Sequence, residues 1–472
     1  MFPEFRPRMS VHKKTGNALM AKSVSVACLL ALTAFSSAVF AKTALAQDTT
    51  GAVYVGTNNA QENGLVAYGR NPDGTLAYIG EYQSGGAGGR LNTGGPVDTL
   101  ISAHSVLNVD NRFVLQINAG SNSVSSFRVN KDFSLTLIGV VPSDGFGPDT
   151  IAVRNGVVYV ANVDDDGVFT GPEDQVGNLV AFTLNRGSGH LQEIPGSKRQ
   201  LVGRPSDVAI ARSGRSLVVS IYNDGSSAIS GSAGKAEIES FGILRPGFLT
   251  PSPVSAIAST QRNNDQNRNL PSAIGIAIRE SAGREVVVVT ESREFLANGQ
   301  AATLSQFQTG SVSTFGLDGS GLLRPISLDV PTSSEITTGP TNTSTSSCWT
   351  SFDKDGRTFW VVSASSSIIS SFRFNEDGSV EEIESRAATG VPVNPDAPNP
   401  AAGATGFVDV AETGNSDFLY ELASGTGQVD VYQINSPDQP LTLLQQMSTG
   451  LPQTGGVMGI AYVQPVDGRE NQ

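Results

Sequence analysis

One short pattern recurs along this chain and limits its fold more than any other feature. A strand of small and β-branched residues leads into a polar turn that often carries Gly-Arg. A second strand reads like VYVAN, a third like GxVxxF, and a fourth follows a Gly-containing hairpin. Copies open at Ala103, Pro148, Pro205, Pro271, Cys348 and Phe407. Their spacing, roughly 45 to 75 residues, is that of propeller blades with loop insertions. Few segments sustain a 3.6-residue apolar period. Short apolar runs punctuated by Gly, Asn, Asp and Ser dominate, so the chain reads as all-β.

The two ends complete each other. Gly51–Asn59, Gly64–Asn71 and Leu76–Tyr82 supply second, third and fourth strands with no first strand ahead of them. Gly456–Val463 supplies the missing strand at the far end. A blade built from both ends closes the ring and leaves no long unpaired edge. The expectation is a seven-bladed β-propeller of four-stranded antiparallel blades, a single domain over residues 47–472. Asn71-Pro72-Asp73-Gly74, Leu317-Asp318-Gly319 and Glu376-Asp377-Gly378 provide the positive-φ residues of tight hairpins.

Residues 1–46 read as a signal peptide. Arg6, Arg8, Lys13, Lys14 and Lys22 precede an apolar run from Val24 to Phe40, and Ala44-Leu45-Ala46 offers a cleavage site, with a second after Ala41. The expected location is secreted or periplasmic. Cleavage takes away six basic residues and one acidic residue, moving the net charge from −13 to −18. Such a surface repels nucleic acid and anionic membranes, so neither is expected as a partner, and the chain is expected to act as a monomer. Cys28 leaves with the signal, which leaves Cys348 without an intrachain disulfide partner and excludes a Cys-based zinc site. Cys348 fits a small buried residue of an inner strand.

The string YVGTNNAQENGLVAYGRNPDGTLAYIGEYQSGG resembles the opening blade of the lactonase-type seven-bladed propellers, the group of bacterial 6-phosphogluconolactonases and fungal carboxymuconate lactonizing enzymes. The resemblance spans residues 51–464. INAGSNSVSSFRV, LVAFTLNRGSGHLQEIPGS and the Cys348-Trp349 blade are similar to a secreted branch described as lactonase-like or 3-carboxymuconate cyclase-like. The resemblance implies opening or closing of a lactone without a cofactor. Enzymatic branches carry a Pro-His-x-His strand, with Glu and Arg around the pore. Here Ala103-His104-Ser105 lacks both the proline and the second histidine.

Aligning the copies on their Gly-Arg turns places His104, Thr150, Asp207, Trp349 and Asp409 at one depth on the innermost strands. His104 suits a general base, with Asp207 and Asp409 as carboxylates that orient it, while Thr150 and Trp349 are expected to line the substrate channel. In the structural alternative, His104 and Asp207 only cap inner strands. Arg128 and Arg373 belong to third strands, farther from the axis. Asp164, Asp165, Asp166, Glu173 and Asp174 offer oxygen ligands for calcium, but not at EF-hand spacing, so a solvated acidic loop is favoured and no cofactor is expected.

Two functions remain open. One is a hydrolase or cyclase acting on a small sugar-acid or muconate-type lactone. The other is a non-catalytic propeller that binds protein or carbohydrate through its top-face loops.

Overall fold

The computed structural model describes residues 49–89, 99–101, 103–163, 177–222, 236–259, 269–296, 302–303, 306–332, 346–354, 356–392, 404–453 and 456–465. All belong to one compact unit, Ala44–Gln472. They form seven antiparallel sheets, and the single helical element among them is a 3-10 turn at Ala119–Ser121.

Each sheet is a blade, and blade 1 comprises Ile460–Val463, Ala52–Gly56, Gly64–Arg70 and Leu76–Gln83. Blade 2 runs from Val106–Val109 through Phe113–Asn118 and Ser123–Val129 to Leu135–Pro142. Blades 3 to 7 open with Pro148–Arg154, Arg204–Ile210, Leu270–Ser281, Ser347–Phe352 and Phe407–Glu412. These first strands pack in succession, each against the next, and Ile460–Val463 completes the circle. The fourth strands of blades 3 and 4 are broken in two, with Arg199–Gln200 and Ser255–Ala258 as the second pieces.

The ring closes as the sequence predicts. Ile460–Val463 pairs antiparallel with Ala52–Gly56, placing Tyr54 opposite Ala461, and two bonds extend the seam, Gly56 N–H to Gly459 O at 3.0 Å and Met458 N–H to Gly56 O at 3.1 Å. Second strands such as Phe113–Asn118 and Thr358–Ser363 are buried along their whole length, because blades stack face to face and neither side of these strands meets water. Fourth strands such as Leu76–Gln83 lie at the rim, where all but the first residue is exposed or half-buried.

Turns lock neighbouring blades. Gly74 has φ +86°, and a Cβ there would lie 2.2 Å from the ring of Phe418 in blade 7. In blade 2, Phe133 takes the corresponding left-handed conformation at φ +59°, and its carbonyl accepts the Tyr54 hydroxyl of blade 1 at 2.8 Å.

One irregularity recurs on the axial side. Pairing between first and second strands shifts between Pro148 and Thr150, Pro205 and Asp207, Ser347 and Trp349, and Phe407 and Asp409. An extra residue in one strand bends it and re-aims the side chains that follow. The acidic loop considered for calcium, with Asp164, Asp165, Asp166, Glu173 and Asp174, lies outside the described residues.

Candidate functional site

Asp207 follows its bulge directly, and its carboxylate gathers donors from four consecutive blades. Oδ1 accepts Val208 N–H at 2.7 Å and Thr150 Oγ1–H at 3.1 Å, and it meets His104 Nδ1 at 3.0 Å. Oδ2 accepts Ile276 N–H at 2.7 Å. The side chain is buried. A carboxylate so surrounded is held in one rotamer, which fixes the imidazole it touches.

Asp409 repeats the device across the seam. Its Oδ1 accepts Val410 N–H at 2.8 Å, and its Oδ2 accepts Ile460 N–H at 3.0 Å in the next blade. Both aspartates therefore staple one first strand to the next. Asp207 alone also bonds a histidine.

His104 stands two residues before the blade 2 first strand with φ +59°, a conformation few side-chain-bearing residues adopt. Its side chain keeps 42% of its surface open to the channel. Removal from bulk water is the largest influence on the ring and opposes protonation. The charge of Asp207, its hydrogen bond and the charge of Asp409 outweigh that influence, against a smaller opposing effect of Arg279, so the pKa is pushed up to about 8. Burial drives the Asp409 carboxyl up to about 7, although the His104 charge and the two backbone N–H bonds pull it down. With Nδ1 directed at Asp207, Nε2 is the nitrogen left for another partner.

His104 lines a cavity of about 520 Å³ that follows the first strands toward their far ends. Ile151, Val208, Ile276 and Thr350 contribute to its walls, along with Arg154, Arg186 and Arg279. Arg186 bonds Asp110 at 2.7 Å. Arg279 lies over the Phe352 ring at 4.1 Å and donates to the Ile278 carbonyl. Its desolvation lowers the guanidinium pKa to about 10, against the opposing charge of Glu412. Among the described residues no arginine bonds His104.

Two expectations about the channel are corrected. Thr150 and Trp349 are 0% and 1% exposed. Thr150 serves Asp207 from behind, and Trp349 packs into the core with Trp360, while their neighbours Ile151 and Thr350 form the cavity wall. Successive strand residues point to opposite faces, so an alignment off by one position exchanges wall for core. Cys348 is buried, with Sγ 2.8 Å from the Ser346 carbonyl. The three arginines escape an alignment focused on strand starts. Two of them carry a signal in a repeated string, Ile-Ala-Val-Arg ending at Arg154 and Ile-Ala-Ile-Arg ending at Arg279.

The sequence matches no protein-family model and no curated protein. Solved structures match the fold. A provisionally assigned 6-phosphogluconolactonase from Bacteroides fragilis is 14% identical, with a TM-score of 0.54 over 88% of this chain and 99% of its own. The periplasmic gluconolactonase of Pseudomonas aeruginosa is 15% identical, with a TM-score of 0.55 over 88% and 99%. A hypothetical selenium-binding protein from Sulfolobus tokodaii reaches 0.55 at 9% identity, over 89% and 92%. What the chain shares with them is the fold, and a fold shared by such different proteins does not carry a reaction with it.

Proposed function

We propose that this chain is an exported, lactonase-like propeller that hydrolyses a small sugar-acid or muconate-type lactone without a cofactor. The observation that carries this reading is His104 on the wall of a 520 Å³ cavity, with the buried Asp207 carboxylate 3.0 Å from its Nδ1. That volume lies within the range of small-molecule sites. In its neutral form the imidazole takes a proton from water at Nε2 while Asp207 holds Nδ1–H. The resulting hydroxide adds to the lactone carbonyl. Collapse of the tetrahedral intermediate breaks the bond to the ring oxygen, which receives the proton back from the imidazolium.

Two fold neighbours described as lactonases support the reaction class, and the periplasmic one supports export together with the basic and apolar segments of residues 1–46. The rival reading, binding of protein or carbohydrate through the top-face loops, depends on connections such as 164–176, 223–235 and 333–345, which lie outside the described residues. A panel of lactones followed by acid release, with the wild type beside His104→Ala, tests the proposal. Turnover that depends on His104 supports it, and hydrolysis undiminished in the variant overturns it.

A further inference from the structure

The wall of the cavity that holds His104 carries more positive than negative charge. The chain has a net charge of −13, whereas the cavity wall carries Arg154, Arg186 and Arg279 against a single carboxylate, Asp110. Asp110 is already engaged by Arg186. Arg154 donates to the carbonyl of Arg212 rather than to a carboxylate, and its Nε is buried without a partner. Arg279 is flattened against Phe352, which holds its guanidinium plane in place. Cations on a concave, partly desolvated wall focus potential into it and act far more strongly there than on an open surface.

Their placement along the strands gives the site a direction. Thr150 and Ile276 mark the level of Asp207, which both bond. Arg154 lies four residues farther along one first strand and Arg279 three residues farther along another. At about 3.3 Å per residue, the backbones of Arg154 and Arg279 sit roughly 10–13 Å from the His104 level. One end of the cavity therefore carries the titratable pair and the other the fixed positive charge.

We propose that the end of the channel bearing the turns between first and second strands is an anion-binding mouth. Through it the protein takes up a small organic anion, its carboxylate or phosphate held by Arg154, Arg186 and Arg279 and its other end directed at His104. The orientation toward His104 rests on the catalytic reading above; the anion site does not.

Calorimetric titration of the full chain with gluconate, with 6-phosphogluconate and with uncharged glucose tests the site without reference to turnover. At least one anion should bind about tenfold or more tightly than glucose, as expected for a charge-assisted bond to arginine. That preference should shrink as salt rises from about 20 mM to about 300 mM. It should vanish in Arg154→Gln/Arg186→Gln of unchanged melting temperature and persist in His104→Ala. The tighter anion identifies carboxylate or phosphate as the group recognised. Equal affinity for glucose and both anions, a preference indifferent to salt, or one that survives the double arginine variant overturns the proposal. Loss of lactone turnover with the anion preference intact would remove the catalytic reading and leave the mouth standing.

Discussion

His104 and Asp207 lie 103 positions apart in the chain and 3.0 Å apart in space. Burial pushes the imidazole toward neutrality, and the Asp207 charge and hydrogen bond reverse that, bringing the pKa to about 8. In Asp207→Asn the burial remains and the main opposing charge is gone. The His104 resonance, followed by NMR against pH, should then titrate about one unit or more lower than in the wild type. An unchanged titration would show that the pair does not interact.

The same pKa sets the pH dependence of the proposed reaction. Only neutral imidazole accepts a proton, so kcat/KM should rise with pH to a plateau above an apparent pKa of about 8. His104→Ala should lower the plateau by roughly 10²–10⁴-fold, the usual contribution of a positioned base. A rate that falls between pH 6 and pH 8 would assign the base elsewhere.

Stability should decline as pH rises through neutrality. Burial raises the carboxyls of Glu239, Asp409 and Glu412 to about 7 from ordinary values of 4.5, 3.8 and 4.5. Above the ordinary values the unfolded chain releases protons that the folded chain still holds. The stabilisation is therefore complete in acid and is lost progressively up to pH 7. His104, raised from 6.5 to about 8, acts in the same direction at slightly higher pH. Asp73, Asp318, Asp377 and Asp438 are lowered, but they sit in water at the rim and contribute little. The melting temperature should be higher at pH 5.5 than at pH 8.5. The opposite order would mean that the buried carboxyls are charged in the folded protein.

The architecture was legible because its signal is repetitive. Each blade needs the same strand order and turn chemistry, so the absence of a first strand before Gly51 and its presence at Gly456–Val463 could be read together. The level of the site was also legible, since Thr150, Asp207, Trp349 and Asp409 each follow the same pairing shift. The direction of each side chain was not. A bulge changes the parity of a strand, and sequence periodicity alone does not reveal which of Trp349 and Thr350 then faces the axis. The arginines of the cavity went unread for another reason: Arg154 and Arg279 act at the ends of strands whose beginnings carry the family-like residues. The breaks in the fourth strands of blades 3 and 4 leave no periodic trace, because those strands lie at the rim, where alternation is weakest.

Closure by the C-terminal strand makes a sharp prediction about truncation. Deleting residues from Gly456 onward exposes the edge of Ala52–Gly56 and leaves Asp409 without its Ile460 N–H partner. A chain ending at residue 455 should lose its cooperative melting transition or melt far lower, whereas one ending at Pro465 keeps every seam bond and should melt like the full chain. Equal stability of the two truncated chains would refute closure by this strand.

The turn at Gly74 separates steric from backbone effects. Gly74 has φ +86°, and a Cβ there would fall 2.2 Å from the Phe418 ring, over which the Arg70 guanidinium lies at 5.0 Å. Gly196 has a similar φ of +78° with nothing within 4 Å of the same position. Alanine at Gly196 should cost only the backbone penalty of a left-handed residue, about 1 kcal/mol. Alanine at Gly74 adds displacement of an aromatic ring at the contact between blades 1 and 7, a further 1–3 kcal/mol or so by the usual cost of overpacking. Denaturant melts of Gly74→Ala, Gly196→Ala and the wild type measure both. If the two variants lose equal stability, the Gly74–Phe418 contact contributes nothing to holding the first and last blades together.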